Sequence, residues 1–104
     1  MSLKEEFLRY LALERNASPH TVNAYGADIT EFCTLIMENA AFDDFGEIDR
    51  DQARSFVLQL YNAGTTKRSV QRKLSAMRSF FRYHLRENKV TSNPFANLPP
   101  IKSG

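Results

Sequence analysis

Two histidines, one cysteine, four tyrosines and twelve acids are the side chains of this 104-residue chain that could do metal, proton or nucleophilic chemistry. Their spacing builds no active site. His20, Cys33 and His84 are too far apart in the chain for a metal-ligand set, which ordinarily brings its ligands in closely spaced pairs. Asp43-Asp44 reads as a loop pair without partners, and no Gly-rich phosphate loop is present. Tyr10, Tyr25, Tyr61 and Tyr83 read as amphipathic packing residues. No catalytic residue, metal or cofactor is therefore expected. What is concentrated is positive charge. From Lys67 to Lys89 eight basic residues (Lys67, Arg68, Arg72, Lys73, Arg78, Arg82, Arg86, Lys89) stand against one acid, Glu87, whereas residues 1–66 carry five basic residues against eleven acids. The whole chain is only +2. Charge segregated this sharply points to a polyanion, of which nucleic acid is the commonest.

The elements that must position these cations are helical. The length suits one domain with a modest core, and the chain lacks the alternation of Val, Ile and Thr that marks strands. Ser2 with Glu5 forms a capping box for a first helix running to about Arg15, with Leu3, Phe7, Tyr10 and Leu11 as its stripe. Ser18 as N-cap and Pro19 at the first helical position open a second, which buries Val22, Tyr25, Ile29, Phe32, Cys33 and Ile36 and ends near Asn39. After an acidic loop, Phe42 to Gly46, Asp49 with Gln52 caps a third helix, striped by Ala53, Phe56, Val57 and Leu60 and ended by Gly64. Thr65 or Thr66 caps the fourth, which runs to about Asn88. Residues 91–98 read as a turn with at most a short helical hook. Pro99-Pro100-Ile101-Lys102 then leaves extended, because each proline disfavours helix at the residue before it.

On the fourth helix, Val70, Leu74, Met77, Phe81 and Leu85 fall within an arc of about 100°, flanked by Phe80 and His84. The opposite arc holds Lys67, Arg68, Arg72, Arg78, Arg82, Arg86 and Lys89, with Ser75 and Ser79 in its middle. Small hydroxyls among long cations let the backbone approach a surface while the cations reach around it. About 22 residues make a rod roughly 33 Å long, enough to cross a major groove about 12 Å wide. A solvated bundle face is the plainer reading. Such a face usually interleaves Glu with Lys, and the like-charged pairs Arg68/Arg72, Arg78/Arg82 and Arg82/Arg86 each cost a few tenths of a kcal/mol. Gln71, Arg72, Arg78 and Ser75 are the candidates for reading bases. The start of the second helix adds free N–H groups beside Ser18, His20 and Thr21, a phosphate seat. His20, Asn23, Ala27, Thr30 and Thr34 share its polar side. Ser18 serves equally as a cap alone.

Several of these segments, in this order, resemble one family. Phe7-Leu8-Arg9-Tyr10-Leu11, then Ser18-Pro19-His20-Thr21 with Tyr25, Asp28 and Phe32, is similar to the opening of tyrosine recombinases of the Xer/phage-integrase type. So is Ser69 followed by Arg72-Lys73-Leu74-Ser75-Ala76-Met77-Arg78-Ser79-Phe80-Phe81-Arg82-Tyr83, with Asn93-Pro94 beyond. The resemblance covers essentially the whole chain. It implies a compact, all-α, four-helix SAM-like core-binding domain (residues 1–98) with a short extended linker (99–104) towards a catalytic domain of the same chain. It also implies one arm of a C-shaped clamp, with the second and fourth helices against the major groove of a recombination half-site. Two departures stand out. Gly26-Ala27 occupy positions where many relatives carry Arg or Lys, which weakens the second helix's grip. The family's catalytic Arg, Lys, His-x-x-Arg and Tyr are missing, and His84-Leu85-Arg86 has the wrong spacing for that motif, so this stretch should not cut DNA.

The expected interface is therefore Lys67, Arg68, Gln71, Arg72, Ser75, Arg78, Ser79, Arg82 and Arg86, with His20, Thr21 and Asn23 beside it. The expected partners are double-stranded DNA, the catalytic domain, and a recombinase tetramer assembled on DNA from a chain that is monomeric when free. No stretch approaches the roughly 20 apolar residues of a membrane span. The start, Met1 to Glu6, lacks a signal peptide's basic-then-apolar build, and the lone cysteine suits a reducing compartment, so a cytoplasmic location is expected. Two alternatives remain at this stage: a helical protein-interaction module with an acidic partner, and a transcriptional regulator of the helix-turn-helix type.

Overall fold

Local caps set the helix boundaries. In the computed structural model, which describes residues 1–98, the Ser2 hydroxyl accepts the Glu5 N–H at 3.1 Å and the Glu5 carboxylate accepts the Ser2 N–H at 3.3 Å. This box starts α1 (Leu3–Leu13), and its bond to Ser2 holds the Glu5 carboxyl below its ordinary value. Ser18 accepts the Thr21 N–H at 3.2 Å and opens α2 (Pro19–Met37). Asp49 and Gln52 form the second box, at 2.8 and 3.0 Å, ahead of α3 (Arg50–Asn62). Gly64, at φ +83°, takes the left-handed turn after α3 that a side chain would resist. Thr66, rather than Thr65, caps α4 (Lys67–Arg86) by accepting the Ser69 N–H at 3.2 Å. Four helices and one 3-10 turn, Phe45–Glu47, make up the regular structure of the described residues. The reading of 99–104 as a linker lies outside the described residues.

The helices α2 and α4 are the central pair. Each packs on the other and on both α1 and α3, while α1 and α3 make no mutual contact. Between them lies a core unusually rich in phenylalanine: Phe7, Phe32, Phe45, Phe56, Phe80, Phe81 and Phe95 are all buried. Their rings meet mainly edge to face, as at Phe45–Phe80 (4.6 Å between centroids) and Phe32–Phe56 (5.2 Å). That geometry matches the positive edge of one ring to the negative face of the next. Cys33 is buried and free, and burial pushes its thiol up to about 11, so it packs and does not react.

Several expectations are corrected. α1 ends at Leu13, not Arg15, and α4 ends at Arg86, not Asn88; Asn16 and Asn88 both adopt positive φ just beyond. Asp43 of the acidic loop, expected to stand without a partner, has one. Phe45 and Ile48 enter the core, and Asp43 accepts the Leu3 N–H at 2.7 Å, clasping the start of α1. The apolar side of α4 is turned towards Ala76, Phe80 and His84, which are wholly buried, while Leu85 is 41% exposed. The C-terminal hook folds back: Phe95 packs on Phe32, Phe56 and Phe81. Asn93 pins it by donating to the Arg78 carbonyl at 3.1 Å and accepting the Phe95 N–H at 3.1 Å.

Candidate nucleic-acid interface

Once the buried side of α4 is fixed by Val70, Met77, Phe80, Phe81 and His84, helical geometry sends the opposite side outward. Lys67, Arg68, Gln71, Arg72, Ser75, Arg82 and Arg86 are exposed there, and Arg78 and Ser79 are half-buried at its margins. The expected face thus forms one continuous strip along a rod of 20 residues, about 30 Å at 1.5 Å per residue. Lys67 and Arg68 occupy the first turn, where the positive end of the helix dipole disfavours cations. Their placement there serves the surface and not the helix.

The individual cations are held differently. Arg82 reaches back to the Ser79 hydroxyl at 3.4 Å. Arg86 lies over the Tyr10 and Tyr83 rings, 5.2 and 5.4 Å from their centroids, and those two rings stack on each other at 4.3 Å. Arg78 turns partly inward and donates from Nε to the Phe95 carbonyl at 3.2 Å, tying the hook to α4. Arg72 donates from Nη2 to Asp28 of α2 at 3.1 Å. Lys73 bonds the same oxygen at 3.2 Å and Glu31 at 2.7 Å. Burial works to lower the Lys73 ammonium, but its bonds to Glu31 and Asp28 outweigh that and raise it above the ordinary lysine value. Among the described residues Arg72 and Lys73 are the cations with carboxylate partners.

On α2 the pattern is mixed. His20 and Asn23 are exposed, whereas Thr21 is half-buried and its hydroxyl accepts from Ser18 at 3.1 Å. Thr30 is half-buried and accepts from Lys4 of α1 at 3.2 Å. Gly26 does not face outward as an empty contact position: a Cβ there would sit 3.0 Å from the Leu8 side chain. It is a packing glycine that lets α1 approach α2. Only Ala27 of the Gly26-Ala27 pair is exposed.

A groove of about 340 Å³ runs between α1, α2 and the C-terminal half of α4, lined among others by Arg15, Tyr25, Ser79, Arg82, Tyr83 and Arg86. No acid lines it. It joins Tyr25 of α2 to the exposed side of α4, and its positive charge comes from Arg15, Arg82 and Arg86. Sequence reading missed Arg15 here. It also missed the Asp28–Lys73–Glu31 cluster, although Asp28 and Lys73 both flank apolar stripes on helices that must pack together. Among the described residues no group of three or more His, Cys, Asp or Glu side chains could hold a metal ion, and no helix is long and apolar enough to cross a membrane.

Comparison with known proteins gives the family. The phage integrase N-terminal SAM-like domain family matches residues 5–88. The chain is 38% identical over 89 residues to tyrosine recombinase XerC of Lacticaseibacillus casei, covering 86% of this chain and 30% of that protein. It is 35% identical over 101 residues to tyrosine recombinase XerC of Listeria innocua, covering 97% and 33%. With tyrosine recombinase XerC of Alcanivorax borkumensis it shares 38% over 98 residues, covering 94% and 31%. The chain thus spans about a third of the length of the curated relatives it matches. No solved structure is a significant match. With its four capped helices and a family match across most of its length, this chain belongs to the phage integrase N-terminal SAM-like domain family.

Proposed function

We propose that this domain is the DNA clamp of a cytoplasmic tyrosine recombinase. In this reading α4 lies along the major groove of a recombination half-site with the start of α2 beside it, and the domain positions a catalytic domain of the same chain that supplies the nucleophilic tyrosine. The observation that carries the reading is the exposed cationic side of α4, on which Lys67, Arg68, Arg82 and Arg86 have no carboxylate partner among the described residues. Four or five such cations meeting phosphates provide affinity without sequence information, and Gln71, Ser75 and Arg72 on the same side provide groups that reach base edges. The relatives are named tyrosine recombinases, and in this reading the whole protein breaks and rejoins DNA strands through a tyrosine. The domain itself is the positioning part and assembles with its fellows into a tetramer on DNA from a free monomer.

Titration of a labelled 30-base-pair duplex with the chain at several salt concentrations tests the proposal. With about five phosphate contacts, log K falls against log salt with a slope near −4 to −5, and the Kd lies at about 10⁻⁴ to 10⁻⁶ M. Binding to poly-glutamate as tight as binding to the duplex would replace this reading with that of a protein-interaction module. A stable dimer without DNA in sedimentation would favour a regulator.

A further inference from the structure

Asp28 is 1% exposed, yet it keeps a carboxylate inside the seam between α2 and α4. One of its oxygens, Oδ1, accepts from both Arg72 and Lys73, and the other, Oδ2, is buried without a partner among the described residues. Burying a carboxylate is costly, and a well-packed apolar pair often serves stability as well or better. Lys73, 15% exposed, already has a shorter bond to Glu31, so Asp28 is not needed to neutralise it. Arg72 is the different partner. Its side chain is 53% exposed and stands on the DNA-facing side, pinned by a single Nη2 contact. The rest of its planar fork stays open to the outside.

We infer that Asp28 is a positioning residue, which tethers Arg72 across the helix seam, withdraws it from loose phosphate contact and presents its remaining N–H groups to DNA in a fixed orientation. The inference rests on the proposed DNA clamp. The counterions released on binding come from the DNA, and a guanidinium whose charge is already offset by a protein carboxylate neutralises little phosphate charge, so it adds donors to the complex without adding to the salt dependence. Arg82, whose one polar partner among the described residues is the Ser79 hydroxyl, is the internal control.

The test compares Arg72→Ala, Arg82→Ala, Asp28→Asn and the double variant Asp28→Asn/Arg72→Ala by fluorescence anisotropy on the same 30-base-pair duplex across a salt series. Arg82→Ala flattens the log–log slope by about 0.9, the share of one phosphate. Arg72→Ala weakens binding severalfold and leaves the slope where it was. Asp28→Asn frees Arg72 and steepens the slope by about 0.9, and the double variant returns it to the wild-type value. If Arg72→Ala flattens the slope as much as Arg82→Ala, or Asp28→Asn leaves it unchanged, the tether has no such role. Should Asp28→Asn not fold, the native chain still decides without DNA. Guanidinium NMR shows restricted Nη rotation at Arg72 and free rotation at Arg82, and free rotation at both overturns the inference. A wild-type chain that ignores the duplex overturns the clamp itself, while the NMR result continues to judge the tether.

Discussion

The seam between α4 and α2 is ionic, whereas the seam between α4 and α1 is aromatic and neutral. On the first, Asp28 and Glu31 hold Arg72 and Lys73. On the second, Tyr10 stacks on Tyr83 under Arg86, and His84, wholly buried, donates from Nε2 to the Leu3 carbonyl at 2.7 Å. The carbonyl can only accept, which fixes the imidazole as the Nε2–H tautomer; Nδ1 is left buried without a partner. Burial lowers the His84 pKa, against the opposing pull of the Leu3 bond. Each seam meets the proposed DNA face at one cation, Arg72 on the first and Arg86 on the second, and the first is held by ion pairs. The second clamps the start of the chain and answers to pH.

Four measurements test that contrast. The largest belongs to the neutral seam. His84→Ala removes a buried ring packed edge-on against Phe80 and Tyr83 together with its bond to Leu3, and should cost about 3 kcal/mol in urea unfolding. Lys73→Ala on the ionic seam should cost about 2 kcal/mol. That is below the 3–5 kcal/mol of a fully buried broken pair, because Arg72 remains on Asp28. If the two costs came out reversed, the ionic seam would be the main structural one.

Acid separates the seams next. His84 is harder to protonate folded than unfolded, so between its folded pKa and about 6.5 the unfolded chain binds more protons. Stability is complete above about pH 6.5 and declines as pH falls below it, by at most about 1.4 kcal/mol per pH unit for one proton. Lys73, with its pKa raised, titrates only well above neutrality and contributes nothing to that slope. Thermal melts from pH 5 to 8 on wild type and His84→Phe should show the dependence in the first and a weaker one in the second. The smallest effect concerns Arg86 over its two tyrosines. Arg86→Ala should lose about 0.5–1 kcal/mol of stability, measured by urea unfolding, through the cation–π contact.

Features of the molecule were legible in the sequence at different ranges. Capping boxes at Ser2/Glu5 and Asp49/Gln52, the Ser18-Pro19 start and the Gly64 stop were all readable, and each is realised. The outward arc of α4 was readable too, since it follows from helical period once any one side is buried. Its inward side was misjudged in part. Leu85 fits an apolar stripe as well as Phe80 does, and only the position of α1 and the hook decides which is covered. Phe45 and Phe95 looked like loop residues because their partners lie on other elements.

The all-helical class, the ends of the helices and the segregation of charge onto one rod were written in the residue order alone. Those features arise from contacts three or four residues apart. Only the tertiary structure decided which cations stand free and which are tethered, that Gly26 seats against Leu8 instead of facing outward, and that His84 is the neutral bolt on Leu3. The Arg72–Asp28, Lys73–Asp28 and His84–Leu3 contacts span 44, 45 and 81 residues of chain. Local periodicity cannot specify pairings at that range, because they exist only after the four helices have packed.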